Sequence, residues 1–380
     1  MARIVIGSYM FRYPLGGMLS WVLQYLMGLK QIGNDIYFVE KYGYPNSCFD
    51  PSTNVMSDDC SYGIKTVAQL FDRCGLNGKW CFVQNGEIFH GLSKKKIIEI
   101  FRTADVFIDM GTHGSWREES LSASLRVLID GEPAYTQIKW ANNAAVGIPV
   151  PEYDRYFTNG KNIGAEDNPV PTLGIHWEHL FHPVKTDFFI TEPAARKAPF
   201  STIMNWQSHQ PIEYNGQIYG QKDMEFQKFL SLPLEVKSPL EVAVSGKVPL
   251  KLLSKNGWSI KNGHQVTLSF DSFRNYIGAS RAEFSVCKNV FVKNATGWFS
   301  DKSGAYLASG RPVVLQDTGF GKHLPVGEGL FAVNTLTEAK EALNEIETNY
   351  GKHSKAARQI AHEFLEAEKV MKNFLYELGV

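Results

Sequence analysis

The sequence is short of several things, and each shortage narrows the reading. None of its five cysteines (Cys48, Cys60, Cys74, Cys81, Cys287) belongs to a CxxC pair, and five is an odd number. That argues against a zinc module or a disulfide framework and for reduced thiols. No run of 18 apolar residues occurs, so no segment is expected to span a membrane. Charge of one sign is not in excess: 39 Lys and Arg balance 39 Asp and Glu, so no net field draws nucleic acid or anionic lipid. The N-terminus enters the strand Arg3-Ile4-Val5-Ile6-Gly7 directly and lacks the layout of a signal peptide. The expectation is a cytoplasmic protein with no membrane span.

What is present suffices for two domains. The chain has 380 residues, and 44% of them are hydrophobic, enough for two cores. The opening strand is followed by the turn Pro14-Leu15-Gly16-Gly17. Leu19, Val22, Leu23, Leu26 and Leu29 then recur at helical spacing, and Asp35–Val39 reads as a second strand. This is a βαβ unit, which implies parallel strands. Val106–Ile108, Val127–Ile129 and Tyr156–Thr158 are further strands, whereas 41–62 reads as loop. Prolines gather from 169 to 199, and there the alternation fades.

The pattern restarts with strands at Thr202–Met204, Leu240–Val244, Ala282–Val286, Pro312–Leu315 and Gly329–Val333. Thr335 to Glu338 forms a capping box, and one long helix covers 354–378. That final helix should bury Ala357, Ile360, Phe364, Met371, Phe374 and Leu378. The fold class expected is α/β: two facing Rossmann-like, doubly wound domains, over 1–180 and 181–355, with a C-terminal helix at 356–380 crossing back onto the first. Ligands of such a pair bind between the carboxyl ends of the strands.

The richest stretch runs from Asn294 to Gly319. It reads as loop, helix and strand, with Ser300 or Ser303 as helix cap and Asp301 in the first turn. Free backbone N–H groups there suit a diphosphate. Gln316 and Asp317, at the end of the next strand, are polar groups able to hold sugar hydroxyls. Any α/β protein contains capped helices, so physics alone leaves an ordinary loop–helix–strand equally open.

These residues resemble the donor-binding signature of GT-B-fold glycosyltransferases. Gly297-Trp298-Phe299-Ser300, then Gly310-Arg311-Pro312-Val313, then Gln316-Asp317 follow that signature's order. The segment from Phe200 to Trp206, with Tyr219-Gly220-Gln221-Lys222, is similar to the first strand and loop of the same domain, where a lysine reaches the donor phosphates. The resemblance covers about the last 180 residues; the N-terminal half shares only its Gly-Gly loop and βαβ rhythm. It implies a nucleoside-diphosphate-sugar donor, most simply a UDP-sugar, as co-substrate with no other cofactor. The donor-binding residues it implies are Asn205, Lys222, Gly297, Trp298, Ser300, Asp301, Ser303, Gln316, Asp317, Thr318 and Gly319, with Gly16 and Gly17 in the facing loop. The function implied is sugar transfer to a hydroxyl acceptor; the alternatives are a nucleotide-sugar epimerase or phosphorylase, or a non-catalytic nucleotide- or glycan-binding protein. A modified nucleobase ranks low as acceptor because the chain is neutral.

The sequence departs from the signature in places. Gly297 to Pro312 is about two residues longer, and the glutamate expected seven before the proline is Ala305, which leaves Asp301 or Glu283 to stand in. The stereochemical outcome is therefore open. No Asp-x-Asp pair occurs, which suits a metal-independent site where Lys222 and Arg281 neutralise the leaving group. For a catalytic base the candidates are Asp109 and His113, on the loop after Val106–Ile108, and then Asp130, with Glu132 just beyond. His176, His179 and His182 lie close together without a metal-site spacing. Tyr9, Phe11, Tyr13 and Trp21 line an aromatic acceptor cleft or pack against the C-terminal helix.

Overall fold

The computed structural model describes residues 1–111 and 115–380. Two sheets organise it. The first has eight strands in the order Trp177–His179, Arg155–Thr158, Leu125–Asp130, Val106–Asp109, Arg3–Gly7, Asp35–Lys41, Trp80–Gln84 and Ile88–Gly91. All neighbours are parallel except the last pair. The second has six parallel strands in the order Ser259–Asn262, Leu240–Ser245, Phe200–Asn205, Ala282–Ser285, Val313–Gln316 and Leu330–Val333.

Central parallel strands are covered on both faces and therefore read as apolar runs. Ile4 and Ile6 join Leu19, Leu23 and Phe374 on one side, while Val5 joins Val39, Ile97 and Phe107 on the other. The second sheet repeats the arrangement. Val313 and Leu315 face Tyr306 and Leu307, and Val314 faces Phe284 and Leu343.

Two glycines set how helices meet. A Cβ on Gly16 would run into the Ser269 carbonyl and lie 2.5 Å from the Cβ of Phe273. The Gly16–Gln31 helix thus starts directly against the Phe270–Ala279 helix of the second half. A Cβ on Gly28 would lie 2.7 Å from both the Ala367 carbonyl and Met371 Cγ, so the helix Ala367–Leu378 crosses there onto the first half.

The structure corrects several expectations. The long final helix is broken into Tyr350–Ile360, a π-turn Ala361–Leu365 and Ala367–Leu378. At the break, the Val184 amide donates to the Leu365 carbonyl and the Ala367 amide donates to the Val184 carbonyl, so a passing segment takes bonds that a continuous helix would keep. The extra residue of the π-turn rotates Phe364 outward, where it is 38% exposed, while Ala357, Ile360 and Met371 stay buried. The 41–62 segment contains a short hairpin, Cys48–Asp50 with Val55–Ser57. Cys48 on this hairpin is bonded to Cys60, which follows it, and that overturns the expectation of five reduced thiols; Cys74, Cys81 and Cys287 are free. The hairpin holds the two sulfurs 12 residues apart in sequence but adjacent in space, which no spacing rule reveals.

Candidate functional site

The carboxyl ends of both sets of strands face one another, and Lys288 of the second half meets Glu132 of the first between them. At the second sheet, Lys222 opens the helix Lys222–Phe226, and Lys302 belongs to the helix Asp301–Ala308. Lys288 follows the strand Ala282–Ser285. Three ammonium groups within electrostatic reach need counter-ions. Lys302 has one in Glu283, and it donates as well to the Thr202 and Ser285 hydroxyls at 3.2 Å. Lys288 lies 2.5 Å from both carboxylate oxygens of Glu132, which belongs to the first half.

Lys222 has none. Among the described residues it makes no ion pair or side-chain hydrogen bond, although protein surrounds a group that solvent still reaches. Burial, then the charges of Lys302 and Lys288, lowers its pKa to about 8. The fully buried Cys287 lies within the same field. Burial pushes its thiol up to about 12, against the pull of Lys222 and Lys302. Glu283 and Asp317 also act on it, so these groups converge on one place.

A buried network holds this centre. Glu225 accepts from Asn289 at 2.6 Å, from Lys228 at 2.6 Å and from Gln316, while the Cys287 amide donates to Gln316 at 3.1 Å. The side chain of Gln316 is therefore spent inside the protein and is not turned to the cleft. Gln221, beside Lys222, is buried with both amide atoms unpartnered.

The facing wall comes from the first half. Glu132 is 37% exposed, and the His209 ring lies 3.9 Å away. Burial raises its proton affinity, but Lys288 and His209 outweigh that and hold it down to about 2. His209 stacks on Tyr135 at 4.9 Å. Tyr9 and Trp21 meet edge to face. Trp21 and Tyr25 both reach His182 Nδ1 at 3.2 Å, and Asn159 donates to Tyr25. Burial lowers the pKa of His182, and the charges of Asp301 and Glu132, felt there, oppose it. Asp301 thus lies across from this wall. The Asp301–Ala308 helix begins with Ser300 at its cap position, but no side chain caps it. Ser303 is buried with its hydroxyl unpartnered.

Other residues singled out from the sequence have different surroundings. The segment around Gly297, Trp298, Thr318 and Gly319 lies where the halves meet. Trp298 bridges Gly160, the Gly297 amide donates to the Thr318 carbonyl, and Asn162 reaches the Thr296 and Ala295 carbonyls. A Cβ on Gly297 would lie 2.9 Å from the Asn162 amide nitrogen. Asn205 is exposed at the end of its strand and accepts from Ser245. Asp317 accepts from the Gly319 amide. Gly17 has Phe273 3.9 Å from where its Cβ would be, leaving it room that Gly16 lacks.

Asp109 is wholly buried and accepts from Tyr153 at 2.7 Å; His113 lies outside the described residues. Asp130 is buried too, holding Thr136, Gln137, Thr158 and the Glu132 amide, which leaves it no free lone pair to act as a base. Arg281 is corrected outright. It precedes the strand Ala282–Ser285, at the opposite end from the lysines, where it pairs with Glu347 and covers the Tyr350 ring at 3.4 Å. Phe11 is buried among Trp80 and Phe82, away from the cleft. Among the described residues no three His, Cys, Asp or Glu side chains gather as a metal site.

Lys288, Lys302 and His209 were missed by sequence reasoning. A lysine three residues past a buried strand was a usable signal for Lys288; nothing local marked the other two.

No family model matches the chain, nor does any curated protein. Solved structures do match. Anabaena HepE (Alr3699), in complex with UDP and glucose, aligns over 100% of both chains with a TM-score of 0.58 and 10% identity. An alpha-glucosyltransferase in complex with UDP-glucose and DNA containing an abasic site does so over 100% of both, with a TM-score of 0.57 and 10% identity. A glycosyltransferase from Rickettsia africae covers 99% of this chain and 97% of its own, at 0.54 and 10%. The fold is GT-B, with two facing Rossmann-like halves. At this identity the likeness is one of fold.

Proposed function

We propose that the protein is a glycosyltransferase that moves a sugar from a nucleoside-diphosphate sugar, most simply a UDP-sugar, to a hydroxyl acceptor in the cleft. The observation that carries this reading is Lys222, a walled-in ammonium with no ion pair among the described residues, flanked by two further lysines at the carboxyl ends of the second sheet. A diphosphate supplies the charge that the protein withholds. In the reaction, as the bond from the sugar's anomeric carbon to the phosphate oxygen breaks, negative charge grows on the diphosphate, and fixed cations stabilise it there. Lys222 and Lys288 take that role without a metal. The uncapped start of the Asp301–Ala308 helix adds N–H donors to the same side of the cleft. The full-length likeness to structures holding UDP supports uridine as the base, and those complexes with DNA keep a nucleobase hydroxyl among the acceptors. Three free thiols support a cytoplasmic location; the Cys48–Cys60 bond is the feature that runs against it.

Calorimetry against UDP, GDP, TDP and ADP without metal, on the wild type and Lys222→Ala, tests the proposal. The expected result is binding of one nucleotide, weakened by about 100-fold in the variant, as for loss of a charge-assisted contact. No binding of any of the four by folded protein overturns it.

A further inference from the structure

We propose that Glu132 is the carboxylate that receives the acceptor hydroxyl, held by Lys288 until the donor's diphosphate takes that lysine away. The inference rests on the transferase reading above and adds a residue to it.

Four acids stand at or just past the carboxyl ends of the strands Asp35–Lys41, Val106–Asp109 and Leu125–Asp130. Glu40 is buried and holds the amides of Met10 and Phe11 together with the Arg12 guanidinium. Asp109 is buried against Tyr153, and Asp130 is filled by its own turn. Of these four, only Glu132 opens to the cleft. It stands opposite the lysines, within electrostatic reach of Tyr9 and His182.

Its present partner is an exchangeable one. The three lysines share two close carboxylates. Glu283 is fully buried in the same half and fixed by Lys302, whereas Glu132 comes from the other half and remains reachable by solvent. A diphosphate entering beside Lys222 therefore competes with Glu132 for Lys288, and the stronger anion wins. While paired, Glu132 is too weak a base to take a proton, since Lys288 and His209 hold its pKa near 2. Once Lys288 turns to the phosphate, the carboxylate recovers basicity and faces the incoming hydroxyl. The acceptor O–H then gives its proton to Glu132 as its oxygen bonds to the anomeric carbon. The bond from that carbon to the diphosphate breaks, its electron pair leaving with the phosphate oxygen held by Lys222 and Lys288. Donor would bind before acceptor, because the acceptor's carboxylate is released only by the donor.

The test uses Glu132→Gln, which keeps size and removes charge, with UDP and UDP-glucose as probes and water as the acceptor. UDP affinity should rise by about tenfold, since a competing anion is gone. Hydrolysis of bound UDP-glucose should fall by about 100-fold, as for loss of a general base. Opposite signs in the two measurements are what a merely structural role would not produce. UDP affinity that is unchanged or lower, or hydrolysis that persists, overturns the inference while leaving donor binding by the wild type intact. Failure of the wild type itself to bind any nucleotide removes the underlying reading instead. Lys288→Gln, in which the carboxylate is freed without donor, serves as the second variant and should lose UDP affinity rather than gain it.

Discussion

Lys302 gives its ammonium to Glu283, while Lys222, close enough for the charge of Lys302 to depress its pKa, gives its own to no partner among the described residues. Two like charges held together with unequal pairing are costly unless a ligand completes the set. The cleft is thus built for an anion.

The pH dependence of nucleotide binding follows from this. Lys222 in the free protein loses its proton near pH 8, and a bound diphosphate would raise that value. Between the two pKa values, binding takes up one proton, so affinity should fall by about tenfold per pH unit above 8. The sign is that of a cation stabilised in the complex: binding is full below the free pKa and is lost as pH rises. Calorimetry between pH 8 and 10, where the phosphates no longer titrate, checks it, and Lys222→Met should flatten the profile.

Gln316→Leu separates two roles for a strand-end amide. A Gln316 that held sugar hydroxyls would, on substitution, weaken UDP-glucose binding and spare UDP. Its contacts with Glu225 and the Cys287 amide instead predict equal weakening of both, with about 2 kcal/mol lost from stability by leaving Glu225 short of a donor. Paired titrations and denaturant melts read the difference.

Asp130→Asn should behave as a structural lesion. Thr136, Gln137 and Thr158 all donate to this buried carboxylate, and an amide cannot accept from all of them. About 2–3 kcal/mol of stability should go, while UDP affinity measured well below the melting temperature stays unchanged.

Gly28→Ala tests the crossover of the last helix. The new methyl meets the Ala367 carbonyl and Met371 at 2.7 Å, contacts that force one helix off the other. A loss of about 1–3 kcal/mol is expected from overpacking. Limited proteolysis should then cut first near Glu366, where the helix is already broken.

Much of this architecture is written in local patterns. Strands such as Arg3–Gly7 and Val313–Gln316 are apolar runs because parallel strands are covered on both faces, and Thr335 with Glu338 marks a helix start by its own chemistry. The break at Glu366 was not legible, because its cause is Val184, far away in sequence. The site was legible in part for the same reason. Lys222 follows a recognisable strand and loop, and Asp301 a recognisable helix start. Gly297, Trp298, Thr318 and Gly319 carry the family-like pattern, yet here Trp298 bridges Gly160 of the facing half, Gly297 and Gly319 pack close against Asn162, and Thr318 bonds to Gly297 and Trp298. Lys288 and Glu132 become a pair only when the two sheets meet, and no spacing in either half announces it.

A crystal structure of the protein with UDP bears on all of this at once. The diphosphate should lie against Lys222 and Lys288, with Glu132 turned away from Lys288 into the cleft. A nucleotide bound elsewhere, with Lys222 still unpaired and the Lys288–Glu132 contact intact, would contradict this.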